Sequence, residues 1–163
     1  MKKLLWAACA LVLLGALGLL PFRAVEISDL LPVKTVVVTR SGEEYIIDVG
    51  AGVRAAGKTL SQALAALREE VTGTVFFPTA EQVILTEPAE DGIEAVVTEP
   101  SFRPAAGIYR TPDPAPDPEA LGAYLATHPS NVTVMTVRAA LALGETPDLP
   151  RIFRTQGGYR VAA

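Results

Sequence analysis

The chain has one cysteine, Cys9, and one histidine, His128, among 163 residues. A lone cysteine excludes an intrachain disulfide, so the fold holds without covalent staples. Two such ligands cannot build a Cys/His zinc centre, and a nucleophile system that needs imidazole would rest on His128 alone. His128 stands before Pro129, a helix-stop pattern, and is expected to close a helix rather than to work as a base. Aromatic residues are scarce at 6%. A basic surplus is missing too: 14 Lys and Arg against 18 Asp and Glu give a formal charge of −4. Lys2 and Lys3 belong to the leader, so the body is more acidic still and carries no electrostatic footprint for nucleic acid. No nucleic-acid partner is expected.

Apolar residues are plentiful. They make up 50% of the chain, and the mean hydropathy is +0.33, too apolar for a disordered segment. Much of the excess lies at the start. Met1-Lys2-Lys3 precedes an uncharged apolar run from Leu4 to Phe22, closed by Arg23. Such a run is long enough for a marginal membrane span, which needs roughly 17–25 residues, and it also has the layout of a secretory signal. Phe22-Arg23-Ala24 makes a poor cleavage site, and Cys9 lies too early for a lipoprotein signal. Residues 1–23 are therefore read as a signal or, preferably, an uncleaved transmembrane anchor. The positive-inside rule puts residues 24–163 outside the cytoplasm as one domain, attached to the cell membrane by a single pass.

The body alternates strand and helix signals. Val33 to Thr39 and Glu44 to Val49 are β-branched runs joined by Ser41-Gly42, an antiparallel hairpin. Gly50 to Gly57 reads as a Gly/Ala loop. Thr59 is an N-cap with Gln62 three residues on, and Leu60, Ala63, Leu64 and Leu67 recur at helical spacing over residues 60–70. Val75 to Phe77 is a short strand or a lead-in, and Gln82 to Thr86 a strand. Glu87 to Glu99 is expected to hold a short helix and a short strand. Six prolines between Pro100 and Pro118 mark a loop that cannot pair in a central sheet. Glu119 to Thr127, opened by Pro118, is a second helix. Asn131 to Arg138 is β-branched and reads as a buried strand, and Gly157-Gly158-Tyr159 as a turn before an edge strand. The expected class is α/β (α+β): a mixed, largely antiparallel sheet with one layer of helices, its other face partly uncovered and available to a partner.

Gly52-Val-Arg-Ala-Ala-Gly57-Lys58-Thr59 matches the phosphate-loop pattern, whose mechanism would use backbone N–H groups and Lys58 around phosphates and Thr59 on magnesium. The preceding strand is one arm of a hairpin, and nucleoside triphosphates are scarce outside the membrane. A bend followed by a capped helix is the preferred reading, with a cytosolic nucleotide binder as the alternative. Glu87, Glu90, Asp91, Glu94 and Glu99 lack the ligand spacing of a calcium loop and read as a solvated face. Asn131-Val132-Thr133 matches the glycosylation acceptor by chance. No nucleophile, base and orienting group assemble in the sequence. A non-enzyme without metal or cofactor is expected.

The order of segments resembles the N-terminal domain of the Ger(x)C family, the lipoprotein C subunits of nutrient germinant receptors in endospore-forming bacteria. The resemblance rests on four segments. Glu26-Ile27-Ser28-Asp29-Leu30 matches the family's Glu-Ile-x-Asp-Leu. Gly57-Lys58-Thr59-Leu60-Ser61-Gln62-Ala63-Leu64 matches Gly-x-Thr-Leu-x-x-Ala-Leu. Phe77-Pro78-Thr79 leads into Val83-Ile84-Leu85-Thr86-Glu87, and Tyr124 to Val137 turns a corner at Pro129 into an apolar segment. The chain departs from the family where Pro21 replaces the lipidated Cys, Pro78-Thr79 replaces Gly-His, and Thr127-His128 replaces Arg-Asp. The stretch from Pro100 to Pro118 looks inserted, and the further domains of full-length members are not present. The resemblance implies a non-enzymatic part of spore germination in the spore inner membrane. Its protein partners would be germinant receptor subunits or other spore membrane proteins. An exported domain of unrelated sporulation or envelope function is the remaining alternative.

Overall fold

The computed structural model describes residues 30–162. The expected anchor, residues 1–23, and the motif residues Glu26, Ile27 and Asp29 lie outside them. Among the described residues, no helix is long and apolar enough to cross a membrane.

Strand β1 (Leu30–Pro32) is followed by β2 (Thr35–Ser41), β3 (Glu44–Asp48) and β4 (Arg54–Gly57). Helix α1 (Leu60–Glu70) leads through β5 (Thr74–Phe76) and a 3-10 turn (Phe77–Thr79) to β6 (Gln82–Thr86). A second 3-10 turn (Glu87–Gly92) runs into helix α2 (Ile93–Thr98). Then come β7 (Gly107–Thr111), α3 (Pro118–Ala126), α4 (Val134–Ala142), and the hairpin β8 (Arg151–Thr155) and β9 (Gly158–Ala162).

Seven strands form one sheet in the order β4-β3-β2-β6-β7-β8-β9, while β1 and β5 pair in a separate parallel ribbon. The sheet is mixed as expected. β2, β6, β7 and β8 run parallel in the middle, with antiparallel β3–β4 on one flank and β9 on the other; more residue pairs are antiparallel than parallel. Every residue of β6 is buried, the pattern of a parallel strand covered on both faces.

The alternation of side chains divides the core in two. Val36, Val38, Ile47, Val83, Leu85 and Ile108 project to one face, where Leu60, Ala63, Leu64 and Leu67 of α1, Val96 and Val97 of α2, and Val134 and Val137 of α4 cover them. Val37, Ile84, Tyr109 and Ile152 project to the other, under Leu121 and Leu125 of α3. The expected single helical layer is thus corrected to helices on both faces. α3 reaches the second face because the chain leaves β7 through the Pro112–Asp117 segment before the helix begins.

Three more expectations are overturned. The stretch from Pro100 to Pro118 is not all loop: Gly107–Thr111 contains no proline and forms a central strand, with Pro104 before it and Pro112 after it. Val134–Ala142 is helix rather than strand. Thr133 caps it, accepting from the Thr136 N–H while the Thr136 hydroxyl accepts from the Thr133 N–H at 2.8 Å. This reciprocal box and the Ala-rich end of the segment outweigh the β preference of Val132, Thr133 and Val134. The stretch from Glu87 to Glu99 forms a 3-10 turn and a helix, with no strand. The β2–β3 hairpin, with Gly42 at φ +61°, the helix over residues 60–70 and the β9 edge strand match the sequence reading.

Leu64 is 1% exposed at the centre of the α1 face, whereas Gln62 is exposed to solvent. Leu64→Ala should lower stability by about 2–5 kcal/mol in thermal or denaturant melts, and Gln62→Ala by far less. Equal, mild effects would contradict this packing.

Candidate functional site

Of the candidate phosphate loop, the backbone makes a turn and a strand. Gly50, Ala51 and Gly52 all have positive φ, at +84°, +52° and +76°, and the Val53 N–H donates to the Gly50 carbonyl at 2.9 Å. The Gly50 N–H is taken by Asp48 Oδ1 and the Ala51 N–H by Glu119 Oε1 of α3, each at 2.9 Å. Residues 54–57 are then extended and paired to β3, Tyr45 opposite Gly57 and Ile47 opposite Ala55. The expected Gly/Ala loop over 50–57 is therefore a three-residue turn followed by β4. An extended strand points its successive N–H groups to alternate sides, so residues 54–57 do not curl them into the cradle an anion needs.

Gly57, Lys58 and Thr59 make the junction into α1. A Cβ on Gly57 would lie 2.5 Å from the Ala63 nitrogen, so this strand end touches the first turn of the helix as only glycine allows. Thr59 accepts from the Gln62 N–H at 3.2 Å, as the sequence predicts. Lys58 is exposed. The motif residues Leu60, Ala63, Leu64 and Phe77 converge in one core, and Phe102 meets Phe77 edge-on at 6.1 Å. Leu30 opens β1, opposite Thr74.

The acidic stretch faces solvent as expected, with Glu87, Asp91 and Glu94 exposed and Glu90 and Glu99 half-buried, and some of its members also pair. Glu87 pairs with Arg151 of β8, and Arg110 of β7 lies 3.7 Å from Glu90 and 3.5 Å from Asp148. These contacts fasten the 3-10 turn to the ends of the parallel strands. Each is partly exposed and contributes about 0–1 kcal/mol. Glu99 accepts from Ser101 and Ser61, while Asp91 and Glu94 stay exposed. Among the described residues, no three His, Cys, Asp or Glu side chains gather closely enough to hold a metal ion. His128 ends α3, as expected: its Nδ1 lies 3.0 Å from the Tyr124 carbonyl, and its ring stacks on Tyr124 at 4.2 Å.

The sequence reading missed a concave site at the opposite end of the parallel strands. There α3 crosses the starts of β2 and β6 so closely that a Cβ on Gly122 would overlap the Thr35 hydroxyl. Beside this contact opens a cavity of about 430 Å³, walled by Val33, Val49, Pro118, Gly122, Ala126 and Gln82. A second cavity of about 190 Å³ shares Glu81, Gln82 and Ala126 with it and reaches Tyr109 and Ser130. Thr35 and Gln82 each open a strand that continues in apolar residues, but nothing local in the sequence puts them opposite each other. Only the parallel register of β2 and β6 does that.

Tyr109 is 1% exposed, and its hydroxyl accepts from the Ser130 N–H at 2.9 Å. Burial raises its pKa above the ordinary value, and the Ser130 N–H opposes this to a smaller extent. No protein family, curated protein or solved structure matches the chain.

Two outcomes check these assignments. Thr59→Ala should cost about 1 kcal/mol through loss of the cap, Lys58→Ala close to nothing, and calorimetric titration with ATP and magnesium should give no binding heat. Tyr109 should ionise above the ordinary phenol range in an alkaline absorbance titration. Its contribution to stability is complete below pH of about 10 and is lost above it, because the unfolded phenol gives up its proton first.

Proposed function

We propose that the chain is a non-enzymatic, membrane-associated component of spore germination, a relative of the germinant receptor C subunits. Residues 1–23 anchor it, and residues 24–163 work outside the cytoplasm through contacts with receptor subunits or other spore membrane proteins. One observation carries the reading: motif residues spread over twenty residues of sequence, from Gly57 to Phe77, meet at one strand–helix junction and one core. The resemblance therefore concerns residues that shape a domain. The polar groups that would suggest chemistry are engaged structurally: Thr59 in a cap, Glu87 with Arg151, and His128 against Tyr124. An interaction domain needs a shaped surface and no reacting group, which fits this use of its side chains.

The test is made in a spore-forming host. The tagged full chain should fractionate with the spore inner membrane, and a reporter active only outside the cytoplasm should give signal when fused after residue 163. Cross-linking should recover a germinant receptor subunit, and deletion should slow nutrient-triggered germination. A soluble cytoplasmic product, or germination unchanged by deletion, would overturn the proposal.

A further inference from the structure

Thr35 and Gln82 lie opposite each other where β2 and β6 begin, and both belong to the α3 face. They are 5% and 6% exposed. The Thr35 hydroxyl donates to Gln82 Oε1 at 3.1 Å, which leaves Gln82 Nε2 with no hydrogen-bond partner among the described residues. Gln82 forms part of the wall of both cavities. Nε2 is not fully buried, so it meets the water of the cavity, which a ligand acceptor can replace.

We infer that the larger cavity binds a small uncharged molecule bearing a carboxamide or similar carbonyl on a short apolar body, with Gln82 Nε2 donating to that carbonyl. Its volume of about 430 Å³ is that of a ligand pocket, and Val33, Val49, Ala123 and Ala126 offer apolar walls. The charged residues of the wall, Lys34, Glu81 and Glu119, are all exposed. Glu119 already accepts from Ala51, so no buried charge compensates an ionic ligand, and a charged group would lose its hydration against a neutral amide. The start of α3 is not an anion site, because Asp117 accepts from the Glu119 and Ala120 N–H groups there. The inference goes beyond the germination reading and stands independently of it.

The experiment is a titration of ¹⁵N-labelled full-length chain in detergent micelles with isovaleramide, followed at the Gln82 side-chain N–H₂ and the Gly122 amide. Both resonances should shift saturably, with a dissociation constant in the millimolar range. Isovalerate and isoamylamine, which carry the same body with a negative or positive group, should bind about tenfold more weakly. Gln82→Leu should weaken isovaleramide binding about three- to tenfold, the loss of one net hydrogen bond. Ala123→Trp, at an exposed helix position on the wall, should fill the cavity and abolish binding without lowering the melting temperature, so the assignment stays testable if Gln82→Leu fails to fold. Absence of saturable shifts, binding undiminished in either variant, or preference for the charged probes would overturn it.

Discussion

Burial of β6 from both sides is the constraint on which the other elements depend. Its five residues are all covered, Val83 and Leu85 by one core and Ile84 by the other. A strand so placed must have neighbours on both edges and layers on both faces. β2 and β7 supply the edges in parallel, and parallel neighbours require crossovers long enough to carry helices. α1 and α2 are those crossovers on one face. The connection from β7 to β8 is the exception, because it visits both faces, α3 on one and α4 on the other. Without that detour Ile84, Val37 and Tyr109 would face water, and the second core would not exist.

Sequence periodicity revealed the elements whose signals are local. The hairpin β2–β3 has its turn residues in place, and α1 has a cap, a stripe and matching bounds. Elements decided by context were harder to read. In β7 five strand residues are hidden among prolines, because proline bars only the positions it occupies. In α4 the β-branched residues at the start suggested a strand, while the deciding interaction was a reciprocal hydrogen bond between Thr133 and Thr136. The acidic stretch is solvated as its charge pattern suggested, but its partners Arg110 and Arg151 were not legible, because they are distant in sequence and reach it only through the strand order.

The site shows the same division more sharply. Gly52, Gly57, Lys58 and Thr59 form a recognisable string, and as a string they suggested phosphate chemistry. In three dimensions the string is a left-handed turn, an edge strand and a capped helix, with Gly57 required by contact with Ala63. Thr35 and Gln82 form no string. They are 47 residues apart, and their pairing follows from a register that no local pattern encodes.

The flanking hairpins have a consequence for assembly. The parallel strands at the centre are the most apolar part of the sheet, and an unpaired parallel edge would invite another chain. Instead each side is finished by an antiparallel strand, β4 with exposed Arg54 and β9 with exposed Arg160. Guanidinium groups on outermost strands oppose continuation of the ladder into a second copy. Copies of the chain crowded together would thus stay laterally separate, and association would be steered to their helices and loops.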